Sequence, residues 1–144
     1  MEGIKVMLAF SRSYDKYDWK PCSIHTLEEF MGLVDFLQRD YESTDAVPGI
    51  MLCVSDEDLP NLNVAAAKDG WVVVANMEID GEIIQLRLDE GRKSQTKFMV
   101  YWDEMEELEG SWLVSIGLGK KAVEYWLKHC DTKKDINWIE TEPV

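Results

Sequence analysis

The chain has 144 residues, of which 46% are hydrophobic, and it contains six Trp, five Tyr and four Phe. A chain of this length can bury roughly two-thirds of its unfolded surface, and so apolar and aromatic a composition excludes a disordered acidic tail. The formal charge is −13, from 28 acidic and 15 basic residues, which disfavours nucleic acid and anionic membrane as partners and favours a basic protein. We expect a single domain over residues 1–144.

The cysteines and the N-terminal residues indicate the compartment. Cys22, Cys53 and Cys130 are odd in number and lack the spacing of a disulfide framework or a zinc site. Residues 1–10 do not have the composition of a secretory signal, and no run approaches the roughly 20 apolar residues that a membrane span requires. The sequence therefore predicts a cytoplasmic protein with reduced thiols.

The first forty residues predict a strand, a loop and a helix. Ile4, Val6, Leu8 and Phe10 occupy alternate positions, as in a half-buried strand, and the polar and aromatic residues 11–20 are typical of a loop. A helix is predicted from Thr26, because Thr26-Leu27-Glu28-Glu29 has the form of a capping box. The apolar residues that follow share one helical face: Phe30, Leu33, Val34, Leu37 and Tyr41.

The middle of the chain predicts a short strand over residues 50–54, an acidic turn over 55–61 and an antiparallel meander over 62–88. Two-residue turns at Asp80-Gly81 and Asp69-Gly70 give one continuous apolar face and, across the first turn, a largely polar opposite face. The apolar pairs predicted in this way are Met77–Ile84, Ala75–Leu86 and Val73–Leu88 across the first turn, and Ala66–Val73, Val64–Ala75 and Leu62–Met77 across the second.

The last third predicts a loop over residues 91–96, a fourth strand of the sheet over 97–102, an acidic run over 103–110 and a second helix from about Gly117 to His129. Residues 136–139 are predicted to add an edge strand. The expected fold class is therefore α+β, an antiparallel sheet of about five or six strands with a central meander and two main helices packed on it.

No motif for catalysis or metal binding has the required spacing. His25 and His129 are far apart in sequence, and Gly117-Leu118-Gly119-Lys120 lacks the spacing of a phosphate-binding loop. Cys22 and His25 lack an evident third group that would activate a nucleophile. We predict that the chain is not an enzyme and holds no cofactor and no metal.

Two acidic runs flanked by apolar and aromatic residues are the unusual feature. They are interpreted either as solvated loops or as an interface in which carboxylates steer a basic partner and aromatic side chains anchor it. The predicted partner-binding residues are Asp56, Glu57, Asp58, Trp102, Asp103, Glu104, Glu106, Glu107, Glu109 and Trp112.

A pattern in the last third adds a resemblance. Lys97–Tyr101 is followed by an acidic connection ending in Gly110, then by Trp112-Leu113-Val114, a helix carrying residues 122–126, and Ile136-Asn137-Trp138. This pattern resembles the immunity-protein family numbered first among those of bacterial polymorphic toxin systems, which is often encoded beside toxins of the deaminase fold. With residues 47–52 and the meander, the resemblance covers about residues 45–139. The chain differs from the family at residues 128–130, where such proteins commonly have Gly followed by Pro.

The resemblance implies a small cytosolic protein that binds and neutralises a cognate toxin. A toxin that acts on nucleic acid needs a basic cleft, which acidic loops would occlude. Two alternatives stay open: an acidic nucleic-acid mimic that inhibits a host-defence nuclease, and a small-molecule-binding domain. The sequence decides neither between monomer and homodimer nor which toxin is bound.

Overall fold

A computed structural model describes residues 4–13, 16–41, 46–54, 59–101 and 105–141, and the side chains of residues 23–38, 46–54, 59–100 and 106–141. Within these residues the chain forms nine strands, two α-helices and one short 3₁₀-helix at Gly110–Trp112. The elements are β1 (Ile4–Ser13), β2 (Lys16–Ile24), α1 (Leu27–Tyr41), β3 (Ala46–Val54), β4 (Asn61–Ala66), β5 (Trp71–Ile79), β6 (Glu82–Leu88), β7 (Lys97–Tyr101), β8 (Met105–Glu109), α2 (Ile116–His129) and β9 (Trp138–Thr141).

The α+β class is confirmed, but the sheet is larger than predicted and is mixed. Seven strands follow the order β2-β1-β3-β4-β5-β6-β9 in a curled sheet, with antiparallel neighbours throughout. β7 pairs with β3 in parallel, and β8 pairs with β7. No helix in the described part of the chain has the length and apolar composition needed to cross a membrane.

The loop expected over residues 11–20 is wrong. β1 continues to Ser13, and β2 returns beside it with Tyr17 opposite Ser11 and Trp19 opposite Ala9. Aromatic residues favour extended backbone when a neighbouring strand is available. β1 is paired with β3 on its other side, so this hairpin adds β2 as a further strand of the sheet. The composition of residues 11–20 did not predict this strand.

The hairpin between β5 and β6 confirms the predicted register. Met77 pairs with Ile84 and Ala75 with Leu86. The turn residues Asp80 and Gly81 have φ values of 52° and 81°, as a type I′ turn requires at both central positions. The turn chemistry and the hydrophobic alternation therefore specify the same register.

The predicted register between β4 and β5 is wrong by two residues. Leu62 pairs with Ala75, and Val64 with Val73. The turn lies one residue earlier than expected, because Ala67 N–H donates to the Gly70 carbonyl at 3.0 Å. A shift of two residues keeps every side chain on its predicted face, so the apolar face survives the error.

Gly70 serves close packing rather than the turn. A Cβ at this position would lie 2.9 Å from the Val114 carbonyl oxygen and 3.1 Å from Leu113 Cβ. Val114 and the neighbouring Trp71 exchange backbone hydrogen bonds of 2.9 and 2.8 Å. A glycine therefore lets the segment before α2 approach the start of β5.

One face of the sheet and both helices enclose the helix-side core. Thr26 starts α1 as predicted: its Oγ1 accepts from Glu29 N–H at 3.1 Å, and the Glu29 carboxylate accepts from the Thr26 hydroxyl at 3.2 Å and from His25 N–H at 3.3 Å. The predicted span of α2 is also confirmed. The fully buried residues of this core are Ile24, Phe30, Val34, Leu37, Ile50, Leu52, Leu62, Val64, Ala66, Trp71, Val73, Ala75, Leu88, Val114, Ala122, Val123 and Trp126.

The opposite face of the sheet carries a second, outer core under β7 and β8. Residues 97–102 were predicted to form a fourth strand of the sheet. Lys97–Tyr101 does form a strand, β7, but it pairs in parallel with the first three residues of β3, placing Ala46 beside Met99 and Pro48 beside Tyr101. Pro48 has no N–H to donate, and from Gly49 onward β3 pairs with β4. The buried residues of the outer core are Val47, Ala65, Ala67, Val72, Val74, Val100, Leu108 and Leu113.

Candidate partner-binding surface

The structure describes four of the ten predicted binding residues. Asp56, Glu57, Asp58, Trp102, Asp103 and Glu104 lie outside the described residues. Glu106, Glu107 and Glu109 lie on β8, so the expectation that the second acidic run is a loop throughout is wrong. Leu108 explains the difference, because it pairs with Phe98 and is buried in the outer core, which holds the run in extended conformation.

β8 presents carboxylates to solvent. Glu107 and Glu109 are exposed, whereas Glu106 is half-buried on the side of Leu108. Glu107 Oε1 lies 3.4 Å from Lys97 Nζ on β7, and both side chains are more than half exposed. Such an exposed pair contributes little to stability, and both groups stay available to a partner.

Trp112 is held by an arginine and is half-buried. The Arg87 guanidinium lies 4.6 Å from the centre of the Trp112 ring, and Arg87 also donates to the Ser111 carbonyl at 3.2 Å. Burial lowers the pKa of Arg87, and Asp89 at 3.9 Å acts in the opposite direction. Trp112 is therefore part of the packing beside the outer core, whatever its role in binding.

The described residues next to the two acidic runs lie at different ends of the sheet. Val54 and Leu59, the described residues that flank Asp56–Asp58 in the sequence, lie at the end of the sheet where β3 stops and β4 begins. Glu107 lies beside Met99, which pairs with Ala46 at the start of β3. At roughly 3.3 Å per residue, the two ends of β3 are about 25 Å apart.

A third acidic surface, which was not predicted from the sequence, lies at the turn between β5 and β6. Residues 78–83, here called the hairpin end, are all exposed and include Glu78, Asp80 and Glu82. Ile79 and Ile83 beside them are 46% and 56% exposed, which is unusual for large apolar side chains. The signal was present in the sequence, since the predicted pairing of Met77 with Ile84 also places Ile83 opposite Glu78 on the polar face.

A row of polar side chains crosses four strands at the base of the hairpin end. Asn76 donates to Asn61 at 2.8 Å, Gln85 donates to Asn76 at 3.1 Å, and Thr141 donates to Gln85 at 2.8 Å. These residues are directly opposite one another on β4, β5, β6 and β9. The row ties the hairpin to its neighbours with side-chain as well as backbone hydrogen bonds.

The residues behind the family resemblance are mostly structural in this chain. Trp126 is fully buried in the helix-side core, and Trp138 Nε1 donates to the Lys133 carbonyl at 3.0 Å. Asn137 accepts a backbone hydrogen bond from Asp89 N–H at 2.9 Å. A binding surface must therefore be sought among other residues.

The start of α2 is also structural. Ser115 Oγ accepts from Leu118 N–H at 3.3 Å, and the Ser115 hydroxyl donates to Glu90 at 2.8 Å. Gly119 packs against Trp71 rather than serving as a flexible entry to the helix. The Glu90 carboxylate thus lies at the start of α2, where a phosphate-binding loop would have backbone amides available to bind a phosphate.

Within the described ranges, no group of three or more His, Cys, Asp and Glu side chains is placed to hold a metal ion. The chain matches no protein-family model, and neither a curated protein nor a solved structure is significantly similar to it. Its function is therefore argued from its own surface.

Proposed function

We propose that the chain is an immunity protein that binds and neutralises a cognate bacterial toxin acting on nucleic acid, either a deaminase or a nuclease. The observation that carries this proposal is the acidic strand β8, whose Glu107 and Glu109 side chains are exposed on the outer strand of the β7–β8 pair. The formal charge of −13 acts in the same direction.

The chemistry of the target explains why such a surface would inhibit it. A protein that acts on nucleic acid holds phosphates with Lys and Arg side chains. Carboxylates accept charge-assisted hydrogen bonds from the same groups, and complementary charge speeds the encounter. An acidic protein can thus occupy the cleft that the substrate needs.

The distribution of the carboxylates favours this proposal over nucleic-acid mimicry. A mimic needs acidic groups in a long, regular stripe that follows a phosphate backbone. The described carboxylates on β8 and at the hairpin end form separate groups at opposite ends of the sheet. A compact group of carboxylates suits a cleft in a folded protein better than a continuous stripe does.

The test uses the cognate toxin, which is sought among the products of the genes next to the one that encodes this chain. We expect co-expression to restore growth to bacterial cells that produce the toxin, and the purified chain to abolish toxin activity at one-to-one stoichiometry. Full toxin activity in the presence of excess chain refutes the proposal.

A double substitution measures how much β8 contributes to the rate of association with the toxin. We expect Glu107→Gln/Glu109→Gln to slow association about 3- to 10-fold at low salt, because steering depends on charge, and this difference should fade at high salt. Asp35→Asn/Glu124→Gln removes the same charge from exposed positions on α1 and α2 and serves as the control. Equal association rates for the two double variants would show that β8 is not part of the interface.

A further inference from the structure

The hairpin end projects beyond the strands on both sides of it. β4 pairs with β5 only as far as Asn76, and β9 pairs with β6 only as far as Gln85. β5 and β6 continue to pair with each other up to Ile79 and Glu82. Three residues on each strand therefore form a two-stranded ribbon that extends about 10 Å past its neighbours.

At the tip of this ribbon, both faces present the same types of exposed side chain. Glu78 pairs with Ile83 on one face, and Ile79 pairs with Glu82 on the other, since alternate residues of a strand point to opposite sides. Each face thus presents one exposed isoleucine beside one carboxylate. A hairpin that docks flat on a partner needs only one such face, whereas a hairpin that enters a cleft contacts a wall with each.

The charge of the ribbon is of one sign. Glu78, Asp80 and Glu82 are exposed, and residues 77–84 contain no Lys, Arg or His. A second copy of this chain would bring like charges together at this end, which costs several kcal/mol at an interface in general. The complementary partner is a cleft lined by Lys and Arg.

Local contacts define the conformation of the ribbon without a partner. The type I′ turn fixes Asp80 and Gly81 at φ values of 52° and 81°. The hydrogen bonds from Asn76 to Asn61 and from Gln85 to Asn76 hold its base. A preformed element loses little conformational entropy on binding, so more of its contact energy appears as affinity.

We infer that the hairpin end is the element that enters the basic cleft of the toxin, with Ile79 and Ile83 against its two walls and the three carboxylates meeting its cations. This inference rests on the proposed immunity function and deepens it, because it names which part of the chain occupies the active-site cleft. β8 then adds charge at a distance from the cleft.

The experiment measures, by surface plasmon resonance, the dissociation constant for the toxin identified in the test of the proposed function. We expect Ile79→Ala/Ile83→Ala to weaken binding by roughly 30- to 100-fold, as loss of an apolar anchor does. Phe36→Ala is the matched control, since Phe36 on α1 is 44% exposed, and it should stay within about 3-fold of the unaltered chain. Thermal unfolding of each variant checks that it is folded.

A charge comparison completes the test. We expect Glu78→Gln/Glu82→Gln to slow association at low salt about 10-fold, while Asp35→Asn/Glu124→Gln leaves it unchanged. Unaltered binding by both hairpin variants overturns the inference and leaves the immunity proposal standing. Failure of the unaltered chain to bind the toxin overturns both.

Discussion

Replacing Gly119 by alanine tests the contact between α2 and the largest buried side chain of β5. A Cβ at Gly119 would lie 2.6 Å from Trp71 Cε3 and 3.1 Å from Trp71 Cδ2. The Trp71 ring is 1% exposed and packs at 5.8 Å from the Phe30 ring. Since both backbone hydrogen bonds of Trp71 to Val114 also hold it, the ring cannot withdraw without moving the core.

The magnitude follows from a comparison within the same helix. Alanine is favoured over glycine in a helix by up to about 1 kcal/mol, and a Cβ at Gly117 meets no atom within 4 Å. Gly117→Ala should therefore raise the free energy of unfolding. Forcing an extra methyl group into a well-packed core costs about 1–3 kcal/mol. Since the propensity gain enters both variants, the difference between them approximates this packing cost.

Urea unfolding followed by far-ultraviolet circular dichroism measures both variants. We expect the unfolding midpoint to rise for Gly117→Ala and to fall for Gly119→Ala, with similar m values. In thermal unfolding, each 1 kcal/mol corresponds to about 3–4 °C for a chain of this size. If Gly119→Ala is as stable as Gly117→Ala, the close approach of α2 to Trp71 is not as the structure describes it.

Three further predictions concern single side chains. Thr26→Ala should lower the free energy of unfolding by about 1 kcal/mol through loss of the helix cap, whereas Thr26→Ser should restore most of it in urea unfolding. Arg87→Lys should destabilise by about 1–2 kcal/mol and change tryptophan fluorescence, because lysine cannot reproduce the planar stacking on Trp112; unchanged emission would contradict the stacking. The hydrogen bond from Lys133 lowers the pKa of Asp135, so its stabilising effect is complete above the ordinary carboxyl pKa and is lost as the pH falls through the lowered value. An NMR titration of Asp135 should move to a higher midpoint in Lys133→Met.

Local sequence determined the β5–β6 hairpin but not its neighbour. At Asp80-Gly81 the turn residues and the alternation of apolar residues agree, and the register was predicted correctly. At Asp69-Gly70 the same dipeptide misled the prediction, because the glycine is needed where Val114 approaches from a distant part of the chain. Turn chemistry is a local signal, whereas close packing between distant segments is not.

The acidic binding site was predicted from amino-acid composition, which does not indicate which strands pair with each other. The run that ends in Glu109 was interpreted as a loop, yet the burial of one residue, Leu108, makes it a strand. This strand pairs with β7, and Met99 of β7 in turn pairs in parallel with Ala46, about fifty positions earlier in the sequence. No short motif encodes such a contact. The hairpin end has no acidic run in the sequence, because Ile79 and Gly81 separate its three carboxylates, and only the β5–β6 pairing makes them one surface.

The two cores share no residue, and this separation bears on how the protein would acquire a new partner. Substitutions on the exposed side of β8 and in the helix-side core are separated by the outer core and the sheet, so their effects on stability should be nearly additive. β7 and β8 rest on the outer core, whereas Phe30, Trp71 and Trp126 maintain the helix-side core. The exposed carboxylates of β8 can therefore change during evolution, while the helix-side core, which stabilises the fold, stays unchanged.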